Sequence, residues 1–277
     1  MKFSLYFFYL AFSNHRIKSK LMKISIIQSD LAWLDKTANL RLFSKLLSPL
    51  KGNTEIVVLP EMFNTGFSVN PSQIGEEHDG QTFRWMSEEA EKGGFGICGS
   101  YIVREDRNYY NRWLMVTPEK ESYSYDKRHL FSISGEDKLF TRGEKRIVFT
   151  FRGVRISPYV CYDLRFPVWM RNRNDYDLMI VSANWPESRR SVWNTLLKAR
   201  AIENQCYVAG SNRIGTDGEG IKYCGDSVII DPKGNVVASG EENRESIITA
   251  DLSMDELSEF RTKFPAWKDA DDFTITT

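Results

Sequence analysis

The 277-residue sequence has little that would mark a nucleic-acid-binding, metal-binding or disulfide-stabilised protein. Lys plus Arg and Asp plus Glu number 37 each, so the chain lacks the basic surplus typical of nucleic-acid binders. The four cysteines, at positions 98, 161, 206 and 224, form no C-x-x-C pair, which argues against a zinc site or a disulfide framework. Free cysteines in a chain of this size favour a reducing compartment, and we expect a cytoplasmic protein without a nucleic-acid partner.

The N-terminal apolar run, Phe3–Phe12, is too short to span a bilayer. It resembles the core of a signal peptide, but a basic segment without an A-x-A cleavage site follows it. A folded-domain pattern begins at Met22. We therefore predict that residues 1–21 are an extension outside the fold, arising from a misplaced start codon, with a secretion signal as the alternative. Residues 22–277 are predicted to form one domain without a membrane partner.

Short strand-like segments alternate with amphipathic segments along this domain. Asp35–Leu50 has apolar residues at helical spacing, and Glu55–Pro60 is an apolar run typical of a buried strand. Other strands are joined directly by turns, as at Arg152-Gly153 between 147–151 and 154–161. This mixture predicts an α/β fold of two mixed sheets between helices, and it disfavours a single doubly wound sheet.

Three reactive residues each follow a predicted strand. Glu61 follows Ile-Val-Val-Leu-Pro, Lys127 follows Tyr-Ser-Tyr-Asp, and Cys161 follows Ile-Ser-Pro-Tyr-Val. Taken singly, each is more typical of a loop or of a small core side chain. Together they indicate a site, because the ends of core strands are rigid and open to solvent. A helix start after Cys161 predicts free N–H groups near its thiolate, with the Tyr162 N–H near an oxyanion.

Four segments resemble the signature blocks of the nitrilase, or carbon–nitrogen hydrolase, superfamily, in that family's order. They are Leu59-Pro-Glu-Met-Phe63, Tyr125-Asp-Lys-Arg-His-Leu-Phe131, Val160-Cys-Tyr-Asp-Leu-Arg-Phe-Pro167 and Lys198-Ala-Arg-Ala-Ile-Glu-Asn-Gln205. The resemblance runs from about residue 22 to about residue 267. It implies a four-layer α-β-β-α sandwich and a homodimer or higher homo-oligomer. The apolar segment Phe260–Phe273 is expected to pack on its own or a neighbouring subunit.

The resemblance also implies a mechanism that needs neither a metal nor an organic cofactor. Glu61, Lys127 and Cys161 correspond to the family's catalytic triad, and Glu136 falls where a second active-site glutamate is often found. Cys161 is expected to attack an amide carbonyl while Glu61 takes its proton. Lys127 and the Tyr162 N–H are expected to stabilise the oxyanion, and a thioester on Cys161 is then hydrolysed.

The details around Glu61 and Cys161 are most similar to the bacterial omega-amidase branch, which acts on monoamides of small dicarboxylic acids such as 2-oxoglutaramate. Such a substrate needs a cation for its far carboxylate. The candidates, which the sequence does not separate, are Arg165, Arg189, Arg190 and Arg213. Arg200 is expected to form a structural ion pair with Glu203.

Two residues at the end of the strand after Cys161, and one in the helix that follows, are candidates for the substrate pocket, with Trp185 as its first wall. Asn184 and Trp185 are expected to contact the substrate, and Trp193 is a second candidate wall. Core packing is the alternative for both tryptophans. The nearby loop 64–67 is expected to lie beside Glu61.

Several other functions remain open at the level of sequence. Gly94–Gly99 matches G-x-G-x-x-G but precedes a strand, whereas a dinucleotide site needs a following helix. A Cys–His dyad would use His129, two residues past Lys127. N-carbamoyl amino-acid hydrolysis is another enzyme alternative, and a catalytically silent binding module of the same fold is a non-enzymatic one.

Overall fold

The computed structural model describes residues 21–276, and the predicted extension lies outside these residues except for Leu21. Strands β1 to β15 are, in order, Leu21–Gln28, Ile56–Val58, Glu76–Glu77, Gly96–Glu105, Asn108–Val116, Ser122–Asp126, Phe149–Phe151, Val154–Val160, Leu178–Ala183, Tyr207–Asn212, Ile214–Thr216, Lys222–Cys224, Val228–Ile230, Val236–Ser239 and Ser246–Ser253. Helices α1 to α7 are, in order, Lys36–Leu47, Pro71–Ile74, Gln81–Gly93, Glu136–Leu139, Pro167–Met170, Arg190–Asn204 and Met254–Lys263.

Most strands belong to two mixed sheets. The first has the order β15-β1-β2-β4-β5-β6, with β3 beside β4, and the second has the order β14-β13-β10-β9-β8-β7. Each has a parallel centre, formed by β1, β2 and β4 in one sheet and by β8, β9 and β10 in the other. Antiparallel strands flank both centres. The predicted pair of mixed sheets is therefore confirmed.

The first sheet is buried on both faces because its strands are apolar on both sides. In β5, Trp113 and Met115 belong to the core shared with the second sheet. Leu114 and Val116 point the other way and pack with Phe43 of α1. Helices α1 and α3 thus cover the outer face of the first sheet, while α6 packs on β10 of the second. This gives the four-layer α-β-β-α sandwich that the resemblance implied.

One hairpin was not predicted from the sequence. Strands β11 and β12 form a two-stranded sheet, with one β-bridge from Ile214 of β11 to Asp30, and their connection reaches the mouth of a pocket at the ends of the two sheets. Gly215, Gly218 and Gly220 interrupt the alternation by which strands are recognised.

The C-terminal segment packs partly on its own chain. The Arg173 guanidinium donates to the Phe273 carbonyl at 2.6 Å and lies 4.7 Å from the centre of its ring. Phe264, just after α7, remains 61% exposed. Within residues 21–276, no helix has the length and apolar character needed to cross a membrane.

Candidate active site

Glu61 is fixed at the junction between the two sheets. It lies three residues beyond β2, where the Ser182 hydroxyl of β9 donates to the Leu59 carbonyl at 2.8 Å. The Asn184 amide side chain donates to the Glu61 carbonyl at 2.6 Å, and the Asn184 backbone N–H donates to Glu61 Oε2 at 2.9 Å. Contacts from the second sheet therefore orient a carboxylate that belongs to the first.

Lys127 comes directly after β6 and binds two buried carboxylates. Its Nζ lies 2.9 Å from Glu61 Oε1 and 2.8 Å from Glu136 Oε2. All three side chains are almost completely buried. Burial by itself lowers the pKa of Lys127, but the charges of Glu136 and Glu61 outweigh it and hold the pKa above its usual value. Lys127 is therefore an ammonium ion.

Glu136 is the first residue of α4 and is held by donors from three directions. The Phe131 backbone N–H donates to its Oε2 at 2.6 Å, and the Asn111 amide donates to its Oε1 at 3.1 Å. Burial raises the pKa of Glu136, and Glu61 adds to that effect, while Lys127 opposes it. The structure thus places Glu136 against Lys127, where the resemblance implied a second glutamate.

Cys161 occupies the sharp turn at the end of β8. Its φ is +43°, a left-handed conformation that is strained for a side chain other than glycine. The Asp163 carboxylate accepts the Val160 N–H at 3.0 Å and holds the turn in place. The Cys161 Sγ lies 3.8 Å from the Asn184 carbonyl oxygen. The nucleophile candidate is thus set at the end of a parallel strand, beside the residue that orients Glu61.

The electrostatics at Cys161 differ from the expectation of a stabilised thiolate. Burial raises the pKa of the Cys161 thiol well above its usual value, and Glu61 raises it further, while Lys127 opposes them. Cys161 begins a short 3₁₀ turn, Cys161–Arg165, whose N–H groups do not reverse this effect. The thiol is therefore neutral at rest, and an attack by sulfur needs a base.

A pocket connects these groups to solvent. It is lined by Glu61, Phe67, Lys127, Phe131, Ser134, Cys161, Tyr162, Arg165, Asn184, Trp185, Pro186, Arg189, Ile221 and Tyr223. The predicted contact residues Tyr162, Arg165, Asn184 and Trp185 are all among them. Phe67, in the predicted loop beside Glu61, places its ring 5.5 Å from the Lys127 ammonium.

Two of the four candidate arginines reach the pocket. The Arg165 guanidinium lies 5.3 Å from the centre of the Trp185 ring, and that of Arg189 lies 5.3 Å from the centre of the Phe131 ring. Within the described part of the chain, neither forms an ion pair with a carboxylate. Both positive charges are therefore available to an anionic ligand.

The other two candidate arginines are already engaged. Arg190 binds the Asp226 carboxylate at 2.5 Å. Arg213 is fully buried and binds the Asp30 carboxylate at 2.6 Å. These two arginines hold the chain around the pocket and do not line it.

The remaining sequence predictions near the site have mixed outcomes. Arg200 pairs with Glu203 at 2.9 Å, as expected. Trp193 packs 5.5 Å behind Trp185, ring centre to ring centre, and its indole N–H donates to the Asp226 carbonyl. Trp193 thus supports the pocket wall from behind, whereas Trp185 forms it.

His129 is occupied elsewhere. Its Nδ1 lies 2.8 Å from Asp163 Oδ1, and its ring stacks on Phe166 with 3.8 Å between centres. Since the described lining of the pocket does not include His129, the geometry disfavours a Cys–His dyad. The G-x-G-x-x-G match runs into β4 after α3, so it does not open a helix.

Sequence reasoning missed Asn111 and the pocket residues Phe131 and Tyr223. Asn111, in the middle of β5, is fully buried and donates to both Glu61 and Glu136. A polar amide inside an otherwise buried strand was the available signal. Within residues 21–276, no group of His, Cys, Asp and Glu side chains is arranged to hold a metal ion.

A four-layer sandwich with a buried Glu–Lys–Glu cluster beside a cysteine is the arrangement that the resemblance implied, and comparison with known proteins gives the family. The sequence profile described as carbon-nitrogen hydrolase matches residues 23–262. The chain therefore belongs to the carbon–nitrogen hydrolase family and hydrolyses carbon–nitrogen bonds.

Individual relatives are similar over nearly their whole length. The omega-amidase YafV of Escherichia coli K12 is 45% identical over 92% of this chain and 98% of its own. The 2-oxoglutaramate amidase of Bacillus subtilis is 33% identical over 89% of this chain and 96% of its own. The crystal structure of XC1258 from Xanthomonas campestris, a CN-hydrolase superfamily protein with an arsenic adduct in its active site, aligns with a TM-score of 0.91. That alignment has 40% identity and covers 93% of this chain and all of the other.

Proposed function

We propose that this chain is an omega-amidase, which hydrolyses the terminal amide of a small dicarboxylic acid monoamide, such as 2-oxoglutaramate, to acid and ammonia. The observation that carries the proposal is the buried Glu61–Lys127–Glu136 cluster beside Cys161, in a pocket that two arginines line. The similarity to an omega-amidase and to a 2-oxoglutaramate amidase supports the substrate class.

In the proposed first half-reaction, the Cys161 sulfur attacks the amide carbonyl carbon while Glu61 takes the thiol proton. This base is needed because burial keeps the thiol neutral. The Lys127 ammonium and the Tyr162 backbone N–H stabilise the oxyanion of the tetrahedral intermediate. Glu61 then gives its proton to the leaving nitrogen, ammonia departs, and a thioester remains on Cys161.

In the second half-reaction, Glu61 takes a proton from water, and the resulting hydroxide attacks the thioester carbonyl. Collapse of the second tetrahedral intermediate releases the acid, and the sulfur regains its proton from Glu61. Glu136 takes no proton in this scheme. It binds the Lys127 ammonium together with Glu61, so that the cation stays charged and in place through both steps.

The far end of the substrate is proposed to bind between Arg165 and Arg189. A guanidinium presents parallel N–H donors that match a carboxylate. Trp185 and Phe131 hold the two guanidinium groups by their ring faces, and Asn184 belongs to the same pocket lining. In this proposal the two arginines bind the far carboxylate while Cys161 attacks the amide.

Ammonia release from 2-oxoglutaramate, succinamate and glutamine tests the proposal. We expect the two dicarboxylate monoamides to be hydrolysed, with Cys161→Ala inactive and its circular dichroism unchanged. Cys206→Ala is the matched control, because Cys206 is also buried but does not line the pocket. Turnover that survives in Cys161→Ala, or that is lost equally in Cys206→Ala, contradicts the mechanism.

Two further properties belong to the same proposal. We expect the protein to act in the cytoplasm, consistent with its four free cysteines. We also expect a homodimer or higher homo-oligomer, and Val168 on α5, which is 55% exposed close to the Cys161 turn, is apolar surface suited to an interface. Light scattering of the purified protein measures the subunit number.

A further inference from the structure

Asn111 connects all parts of the Glu–Lys–Glu cluster. Its Nδ2 lies 2.8 Å from Glu61 Oε1 and 3.1 Å from Glu136 Oε1. Its backbone carbonyl accepts the Lys127 N–H at 3.0 Å. One residue in the middle of β5 therefore contacts both carboxylates through its side chain and the ammonium-bearing residue through its backbone.

The amide is suited to this position because of its two N–H bonds. Two ionised carboxylates accept hydrogen bonds and do not donate them, so the group between them must donate twice. Lys127 supplies a single positive charge against two negative ones, in a place where Asn111, Glu61 and Glu136 are all fully buried. A second cation at Asn111 would need desolvation, whereas a neutral double donor separates the carboxylates without adding charge.

Glu61 accepts three hydrogen bonds in all. Lys127 and Asn111 donate to its Oε1, and the Asn184 N–H donates to its Oε2. Each donor favours the ionised carboxylate, which is the form that can take the Cys161 proton. Two of these donors have further roles in the proposed site, whereas the Asn111 side chain contacts only the carboxylates.

We propose that Asn111 is a positioning residue, which holds the Glu61 and Glu136 carboxylates beside Lys127 and keeps Glu61 in its proton-accepting form. This inference rests on the proposed function for its kinetic readout, although the geometry on which it stands is independent of the substrate.

The other titratable groups around Glu61 come from four elements. They are Lys127 after β6, Glu136 in α4, Cys161 after β8 and Tyr223 in β12, which faces Cys161. Removing Asn111 changes none of these groups chemically. A change in the pH profile of the variant therefore reports on the lost donor.

The experiment measures kcat/KM for succinamate against pH in wild type and Asn111→Ala. Loss of a donor to the carboxylates makes them easier to protonate, so the acidic limb of the profile moves to higher pH, by about one unit. We expect kcat near neutral pH to fall about tenfold. Asn111→Ser, which keeps one hydroxyl donor, should show a smaller shift, and it decides the question if the alanine variant does not fold.

The rate of Cys161 alkylation by iodoacetamide, measured against pH, gives a readout without substrate. Its acidic limb is expected to move in the same direction, because the neutral thiol gives up its proton to Glu61. If wild type hydrolyses none of the amides but this limb still moves in Asn111→Ala, the substrate proposal fails and the role of Asn111 stands.

Asn172→Ala is the matched control for a structural effect. Asn172 is also buried, and its amide donates to the carbonyls of Tyr176 and Asn204, away from the pocket. We expect a lower melting temperature for this variant and an unchanged pH profile. Lower activity in Asn111→Ala with both acidic limbs in their wild-type positions overturns the proposal and leaves Asn111 a structural residue.

Discussion

Arg165 and Arg189 show how single residues in this pocket are prepared for a ligand. Each guanidinium lies over an aromatic ring of the pocket lining, Trp185 or Phe131. Such a ring attracts the cation without neutralising it, so the charge stays available for a carboxylate. Arg213, by contrast, is fully buried and paired with Asp30, which makes it part of the framework.

Removing the charge of Arg165 or of Arg189 is expected to weaken binding of the substrate's carboxylate more than it slows the chemical steps. In Arg165→Gln and Arg189→Gln, we expect the KM for succinamate to rise roughly 10- to 100-fold, because a charge-assisted hydrogen bond is lost. kcat should change little, and butyramide, which has no carboxylate, should be hydrolysed as by wild type. Steady-state kinetics with both substrates tests this.

The control for this prediction is Arg171→Gln, since Arg171 bonds to the Glu203 carbonyl outside the pocket. An equal rise in KM for butyramide and succinamate would show that Arg165 and Arg189 shape the pocket walls and do not recognise the carboxylate of the substrate.

At the scale of single residues, the sequence predicted the site residues that a local pattern or the family resemblance identifies. Glu61, Lys127 and Cys161 were identified because each comes after a strand inside a recognisable motif. Asn111 was not, since its role depends on two carboxylates that are 50 and 25 residues away along the chain. The choice among the arginines likewise depended on distant carboxylates that only the folded chain brings to Arg190 and Arg213.

Among the elements, the end of β6 is held by a close backbone contact. Gly143 N–H donates to the Lys127 carbonyl at 2.9 Å. A Cβ at Gly143 would lie 2.0 Å from the Asp126 carbonyl oxygen, which is backbone and cannot rotate away. Glycine is therefore required here so that the segment can lie against the strand that presents Lys127.

We expect Gly143→Ala to displace the end of β6 and to move the Lys127 ammonium relative to Glu61. A displacement of about 1 Å lowers kcat roughly 100-fold while the protein remains folded. Gly52→Ala is the control, because Gly52 has a φ of +68° but open space around it. That variant should lose about 1 kcal/mol of stability and keep its kcat. Similar kcat values for both variants would contradict the proposed role of Gly143 in positioning Lys127.

Elements with clear alternation were predicted from sequence within a few residues. The predicted helix Asp35–Leu50 is α1 with a 3₁₀ turn at Ser48–Leu50 after it, where Pro49 interrupts the α-helix. The hairpin β11–β12 was missed because its glycine-rich connection carries no alternation. Its position at the pocket mouth results from tertiary contacts that no local pattern encodes.

At the scale of the whole molecule, a charge cluster joins the second sheet to the C-terminal helix. Asp177, just before β9, binds Arg155 of β8 at 2.6 Å and Arg261 of α7 at 2.8 Å. Burial by itself raises the pKa of Asp177, but the hydrogen bonds and charges of the two arginines outweigh it and lower the pKa. The carboxylate therefore stabilises the fold while it is ionised.

This lowered pKa predicts a pH-dependent effect of Asp177→Asn. Above about pH 4, the ordinary range for a free aspartate, the wild type has the full benefit, and the variant should lose about 2 kcal/mol of unfolding free energy. The difference should shrink as the pH falls through the lowered pKa of Asp177, since protonation removes the same charge from wild type. Urea unfolding at pH 7 and pH 3 measures both values.

The exposed pair between Lys23 and Asp251, at 3.5 Å, supplies a control. Asp251→Asn should change stability little at either pH, because surface ion pairs contribute little. If Asp177→Asn lowers the unfolding free energy equally at pH 7 and pH 3, then the shape of the Asp177 side chain, and not its charge, stabilises the contact with Arg155 and Arg261.

The division of the site between two sheets has a consequence for the growing polypeptide. The carboxylates and the ammonium are synthesised by residue 136, whereas the sulfur is added at residue 161 and the Asn184 contacts that orient Glu61 come later still. A nascent or truncated chain that ends before the second sheet therefore has a base without a nucleophile. With the roles proposed for Glu61 and Cys161, we expect amide cleavage to begin only after the second sheet has been synthesised and has packed on the first.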